Sequence, residues 1–338
     1  MALLTEPNIS SGKREDLANL IALADARGTP VSSMAKKGKE LSNTIHSWQM
    51  DALPAIQTDG VVDGTPANAP ESANLRFRQS AYVQTLRRQP AVSFLTEEVS
   101  DIAGVNSEKA NQIAKYITMI KRDQEAVICS NNGMQADNGT VPYKTRGLKK
   151  WLAVAASKDT VLPTDDAYCL PSTSRSTVGT AALTESVVNG LLTSIWNTTG
   201  VKRDFDCFVG SALKQAFTNL VYTTPSTGST NTQSAIRTFQ RDPSEATYIS
   251  GIDVFQGDFG TLKLHPSHWL NVSGSPLAGS PYVGYVLPMD KIEIRYGGAM
   301  AKILELPKDG SGSKFEIRTN FSLVLENPLE CAIFDFTA

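Results

Sequence analysis

The stretch NTIHSWQMDALPAIQTDGVVDGTPANAPESANLRFRQSAYVQT, residues 43–85, decides how the rest of the chain is read. Its first leg, TIHSWQM, places His46, Trp48 and Met50 on one side of an extended strand. The return leg, roughly Phe77–Leu86, alternates less cleanly. Between them the sequence is rich in Pro, Gly, Ala, Asn and Asp and nearly free of large apolar residues. The whole reads as a long β-hairpin with a ragged tip. About forty residues of this kind cannot build a core of their own. Such a segment is either a linker or an arm that becomes ordered against a neighbour.

Composition narrows the classes. A chain of 338 residues can bury one large core or two smaller ones. Hydrophobic residues at 41% and charged residues at 20% describe an ordinary globular protein, slightly low in charge. A net charge of -2 argues against a nucleic-acid reader that grips phosphates, which needs a basic excess or patch. The compact basic run Lys36–Lys37–Lys39 reads as a solvated turn. Cys129, Cys169, Cys207 and Cys331 lack C-x-x-C spacing and fit reduced thiols better than a disulfide framework. The first residues lack the pattern of a signal peptide. No stretch approaches the roughly 20 apolar residues of a membrane span.

On the N-terminal side of the hairpin, residues 13–27 put Leu17, Leu20, Ile21 and Ala24 on one face of a short amphipathic helix, ended by Thr29–Pro30. On the C-terminal side lies the clearest helix of the chain, over residues 107–131. Asn106 or Ser107 caps it, and Ile113, Ile117, Ile120, Gln124 and Val127 or Ile128 recur at helical spacing. Lys115, Lys121, Arg122, Asp123 and Glu125 are assigned to its solvent surface, and Asn131–Asn132–Gly133 stops it. At 1.5 Å per residue it is a strut of about 36 Å.

Residues 133–182 read as loop-rich, with short strands around Trp151–Ala155. A helix over Thr184–Thr198 is followed by a buried strand, DFDCFVG, and a second helix, SALKQAFTNLV. Residues 223–246 form a polar loop. KIEIRY alternates Ile292, Ile294 and Tyr296 with Lys291, Glu293 and Arg295. KFEIRTNFSLVLE is the cleanest strand, with Phe315, Ile317, Phe321, Leu323 and Leu325 on one face. The sum is an α+β fold with mostly antiparallel strands and no internal repeat.

Chemistry-bearing constellations are weak. Of the three histidines, His265 and His268 alone have a metal-like spacing, and no adjacent Cys or carboxylate completes a site. Walker A, H-E-x-x-H and G-x-S-x-G motifs are absent. Asp309–Ser313 reads as a hairpin turn. The acid pairs Glu97–Glu98 and Asp165–Asp166 have no evident base or metal partner. No catalytic, cofactor or metal residue is assigned, and the chain reads as a structural protein.

The order of parts resembles the major capsid protein fold of tailed bacteriophages, which herpesvirus shells share. That order is an N-terminal arm, a long hairpin, a long lone helix, a mixed region and a final long strand. The wording resembles one branch of these phage head proteins. The phrases are REDLANLI (14–21), Thr29–Pro30, HSWQMDAL (46–53), QIAKYITMIKRDQEAVI (112–128), ALTESVVNGLLTSIWNTTG (182–200) and SLVLENPLECAIFDF (322–336). Their order and spacing together are the specific signal.

The resemblance implies an arm over 1–40, an extended loop over 41–88, a peripheral domain over 89–180 with its spine helix at 107–131, an axial domain over 181–290, and C-terminal strands over 291–338 returning to the peripheral domain. It implies hexamers and pentamers in an icosahedral head around packaged double-stranded DNA. The partners implied are a portal protein and, separately encoded, scaffold and decoration or cement proteins. The setting implied is the virion, assembled in the bacterial host cytoplasm. Trp48, Phe77 and Tyr82 are then candidate intersubunit anchors. Arg76, Arg78, Arg87 and Arg88 are candidates to pair with Glu97, Glu98 or Asp101 of a neighbour. Thr223–Ala246 is the candidate lining of the capsomer centre. Some members of the fold weld the shell through a lysine on the extended loop. No lysine lies between Lys39 and Lys109, so a non-crosslinked shell is expected. The short arm leaves no room for a built-in scaffold, and a retained N-terminus is expected. The rival readings are a phage fibre or carbohydrate-binding module, against which the long helix and lack of repeats count, and an enzyme with an unrecognised site.

Overall fold

A computed structural model describes residues 28–54, 56–64, 66, 76–98, 107–161, 165–179, 183–220, 253–274, 277–278, 280–307, 310 and 312–336. The helix expected over 13–27 and the loop 223–246 lie outside these residues, as does Asp101. The helices are α1 (Pro30–Met34), α2 (Phe94–Glu98), α3 (Glu108–Ile128), α4 (Leu148–Trp151), α5 (Glu185–Thr199) and α6 (Ser211–Asn219). The first strands are β1 (Lys36–Lys37), β2 (Ile45–Met50), β3 (Phe77–Tyr82), β4 (Gln84–Arg88), β5 (Ala91–Ser93) and β6 (Arg175–Ser176). Then come β7 (Arg203–Val209), β8 (Val254–Gly257), β9 (Gly260–Pro266), β10 (Ser273–Gly274) and β11 (Leu277–Ala278). The last are β12 (Val283–Leu287), β13 (Ile292–Tyr296), β14 (Lys302–Glu305), β15 (Gly312–Leu325) and β16 (Ala332–Asp335).

The strand with the cleanest alternation, β15, organises the first sheet. Phe315, Ile317, Thr319, Phe321, Leu323 and Leu325 are all buried on one face. β13 and β14 pair with it antiparallel, and so do β4 and β5. β1 extends this sheet by pairing in parallel with β13. The run Lys36–Lys37, expected as a turn, is therefore a strand, and Lys36 Nζ reaches Glu293 at 3.2 Å.

The second sheet has the order β6-β16-β12-β7-β9-β8. Most pairings in the fold are antiparallel, while β1–β13, β6–β16 and β7–β9 are parallel. Both faces of this sheet are buried. Phe205, Cys207, Val209, Val286, Ala332 and Phe334 pack with α5 and α6. Phe208, Val283, Tyr285, Leu287 and Ile333 pack the other way, into the cluster that holds the end of α3, Trp151 and β13. A strand buried on both faces needs apolar residues at successive positions, which is why DFDCFVG and CAIFDF read as continuous runs. β16 belongs to this second sheet, so the C-terminal segment expected to return whole to the peripheral domain divides between the two sheets.

Local expectations failed where tertiary contacts overrode them. Pro30 opens α1, since a proline at the first helical position loses no hydrogen bond; the helix it was expected to end lies outside the described residues. α3 spans Glu108–Ile128, shorter than expected at both ends, with Ser107 Oγ accepting from Ala110 N. Cys129 is its C-cap, with its N–H on the Glu125 carbonyl, and Ser130 packs so close to Gly147 that a Cβ there would sit 2.1 Å from the Ser130 carbonyl oxygen. The strand expected around Trp151–Ala155 is α4 followed by a short 3₁₀ turn over Ala155–Ser157. Leu148 and Trp151 are both buried, and their spacing is helical. α5 ends at Gly200 with φ 70°, a left-handed cap that favours glycine. Arg146, 2% exposed, stacks over Trp151 at 4.4 Å beside Asp159.

β16 is tied outward by Asp335, which accepts from Lys149 Nζ at 2.9 Å and Arg175 Nη2 at 2.6 Å. Burial alone would push the Asp335 carboxyl up, but the hydrogen bonds and charges of Lys149 and Arg175 outweigh it and hold it below the ordinary carboxylate range. The folded form therefore holds this proton less tightly than the unfolded chain. The stabilisation is present above the unfolded value of about 3.9 and is lost as pH falls through the folded value. In urea titrations, Asp335→Asn is expected to flatten the acid limb of stability against pH. Phe321→Ala is expected to cost about 3–5 kcal/mol, against less than about 0.5 kcal/mol for the half-exposed Ile303→Ala.

Candidate assembly surface

β2 and β3 form the hairpin base in the register Ile45↔Tyr82 to Met50↔Phe77. Ser47 and Ser80 face each other across it, their hydroxyls 2.9 Å apart. The base is fixed to the body by its side chains. Trp48 donates its indole N–H to the Glu326 carbonyl at 3.2 Å. Its ring lies 5.6 Å from Trp151 and 5.7 Å from His46. Burial and the nearby Arg295 charge lower the His46 pKa, with Glu293 opposing. Tyr82 is buried with its ring 5.4 Å from Tyr143, and Phe77 stacks on Tyr168 at 6.2 Å.

The return leg is anchored to the long helix. Arg88 forks onto Asp123 of α3 through Nε and Nη2, both at 2.7 Å. β4, which carries Arg88, pairs with β15. The root of the hairpin is thus held by strand pairing and a bidentate ion pair at once.

Beyond Met50 and Phe77 the pairing stops. Arg76 Nε meets Asp51 at 2.9 Å, with both side chains largely exposed. Leu53 and Ile56 are each 92% exposed, and Val61 is 82% exposed. Isolated exposed aliphatics are ordinary, but here three lie within nine residues of one segment.

Of the ten residues assigned from sequence to intersubunit contacts, Trp48, Phe77, Tyr82 and Arg88 have partners within their own chain. Arg76, Arg78, Arg87, Glu97 and Glu98 are exposed, and Asp101 lies outside the described residues. Sequence reasoning missed Asp123 as the seat of Arg88, and it missed Leu53, Ile56 and Val61 at the tip. The signal for the tip was faint, because Leu53, Ile56 and Val61 are scattered among polar, Pro and Gly residues with no period. It also placed Glu125 on the solvent surface, whereas Glu125 is fully buried. Its one cue was Ile128 three residues on, which shares that side of the helix.

The remaining polar groups are engaged structurally. His265 Nε2 lies 2.8 Å from Asp206 Oδ1, and His268 sits edge-on to Trp269 at 6.3 Å. Asp165 caps the Ala167 N–H at 3.1 Å, and Asp166 pairs with Lys158. The four cysteines are buried free thiols. Among the described residues no group of three His, Cys, Asp or Glu side chains could hold a metal ion.

The mixed helix-and-sheet fold as a whole matches solved phage capsid structures over nearly its full length. The chain is similar to the cyanophage A-1(L) capsid asymmetric unit, with a TM-score of 0.62 and 14% identity over 99% of this chain and 100% of that one. It is similar to the capsid of the native GTA particle, at 0.56 and 12% over 100% of both chains. The capsid of Myoviridae phage XM1 gives 0.54 and 8% over 98% of both. No curated protein matches the chain in sequence. The family model described as SU10 major capsid protein matches residues 5–337, and the chain belongs to that family. It is a major capsid protein of a phage shell, a component of the virion, and its family is structural and not enzymatic.

A double-mutant cycle on Arg88→Ala and Asp123→Ala, read by urea unfolding, is expected to give a coupling of about 1 kcal/mol or less. Added salt should reduce it further, since both side chains are partly exposed.

Proposed function

We propose that this chain self-assembles into hexamers and pentamers that close an icosahedral head around packaged double-stranded DNA. The observation that carries this reading is the hairpin tip, where Leu53, Ile56 and Val61 stand in solvent beyond a base that is firmly packed on the body. A rigid base with an apolar tip is suited to a heterologous contact, in which one surface meets a different surface of the next copy and rings close. The exposed arginines Arg76, Arg78 and Arg87 offer the charged rim of such a contact, with Glu97 and Glu98 as acceptors on a neighbour. The intramolecular roles of Trp48, Phe77, Tyr82 and Arg88 make them supports of the contact surface.

In this reading residues 1–40 are the arm, 41–88 the extended loop, 89–180 the peripheral domain, and 181–290 the axial domain. Residues from 291 onward serve both sheets. A portal protein, a separate scaffold and decoration or cement proteins complete the head, which assembles in the bacterial host cytoplasm. Contact with DNA is non-specific, consistent with a net charge of -2. The shell is held by noncovalent contacts, since the hairpin offers no lysine.

The test is negative-stain electron microscopy with light scattering, on the chain alone and co-expressed with phage head proteins. Closed shells or rings of five and six are the expected result, and a monomer under both conditions would refute the reading. Leu53→Asp with Ile56→Asp should abolish particles while leaving the subunit's unfolding free energy within about 0.5 kcal/mol of the parent. Denaturing electrophoresis of particles should give a single band at the chain mass, and a ladder of covalent oligomers would contradict the noncovalent shell.

A further inference from the structure

Residues 28–37 cross the body as a strap. The Gly28 carbonyl accepts from the Trp269 indole N–H at 2.8 Å. Val31 and Ser32 donate their backbone N–H groups to the two carboxylate oxygens of Glu125, at 2.8 and 2.7 Å. Val31 is fully buried and Ala35 nearly so, while Ser33 and Met34 face solvent. At the far end β1 lies parallel to β13 for only two residues.

The strap is held at both ends, by Trp269 on Gly28 and by β1 with Lys36 against β13 and Glu293, but the polar hold on α1 between them is concentrated in one place. The first turn of a helix has N–H groups with no partner inside the helix. In α1 Pro30 has none to offer, and the Thr29 side chain makes no cap. The N–H groups of Val31 and Ser32 therefore depend on an acceptor from elsewhere, and Glu125 of α3 is that acceptor. Glu125 in turn is 0% exposed, so the carboxylate depends on those two donors. Burial pushes its carboxyl up, against the pull of the hydrogen bonds from Ser32 and Val31. If the strap lifts, both sides recover water. What remains to hold the strap is the burial of Val31 and Ala35, the Gly28–Trp269 hydrogen bond, the two-residue β1–β13 pairing and the Lys36–Glu293 pair.

We infer that residues 28–37 leave the body as one unit before the rest of the chain unfolds, and that Glu125 is the latch that holds them. The strap is a movable joint at the root of the N-terminal arm. This inference stands on the subunit's own contacts and does not depend on how copies assemble.

Hydrogen–deuterium exchange read by mass spectrometry on the full-length subunit tests it. In the parent chain, peptides covering 28–37 should exchange faster than peptides covering β7 and β12. Glu125→Gln keeps the side chain's size but turns an amide NH2 toward one of the two N–H donors. It should speed exchange of the strap by about tenfold or more, the scale of one charge-assisted hydrogen bond, with β7 and β12 unchanged. Val31→Ala should speed the same peptides from the apolar side. A single exchange rate for strap and sheet in the parent would overturn the proposal. So would a strap rate within twofold of the parent in Glu125→Gln, or acceleration of β7 and β12 together with the strap. If Glu125→Gln does not fold, the latch assignment is overturned, because a detachable strap is dispensable to the fold.

Discussion

A fourteen-residue strand cannot leave its backbone groups unpaired on either side once its side chains are buried, and β15 meets that requirement by recruiting four partners. β13 and β14 line one edge, and β4 and β5 continue one register along the other. The consequences reach most of the chain. β4 is the root of the hairpin, so the hairpin's direction is set by a ladder at the centre of the body. β13 receives β1, so the strap is placed by the same sheet. α3 packs across it and receives Arg88 from β4. The long helix is a strut because a long strand lies under it.

The hairpin divides its side chains by position. Near the root side chains on both faces are satisfied within the subunit, Trp48 and Phe77 on one and Tyr82 on the other. Beyond Asp51 and Arg76 the strand pairing ends and apolar side chains stand in solvent. Burying an aliphatic side chain is worth about 1.5–3 kcal/mol, a gain that Leu53, Ile56 and Val61 do not make within the subunit. In the proposed assembly, a packed root would lower the cost of ordering that tip.

Much of this architecture is legible in the amino-acid pattern. The hairpin legs, α3, α5, β7, α6, β13 and β15 all follow from apolar periodicity, because each buries one face or both and the pattern records which. The tip is legible as a segment with no core. The assignments that failed share a cause. Glu125 reads as a surface acid because a carboxylate is ordinarily solvated, and only the approach of α1 from 94 residues away supplies its donors. Trp48, read from sequence as an anchor for a neighbour, has Trp151 and the Glu326 carbonyl as partners within the subunit, contacts that no local pattern signals.

Hydrophobic spacing and local backbone preference were enough to dictate most elements, their order, and the existence of a projecting arm. Folding in three dimensions was needed to settle which sheet each strand joins, where α3 ends, and which polar groups are buried in pairs. The C-terminal residues illustrate the division: β15 and β16 are both plain strands in sequence, yet they belong to different sheets. Strand pairing, close approach at Gly147 and the matching of buried charges to distant donors are contacts between residues far apart along the chain, and no local pattern encodes them.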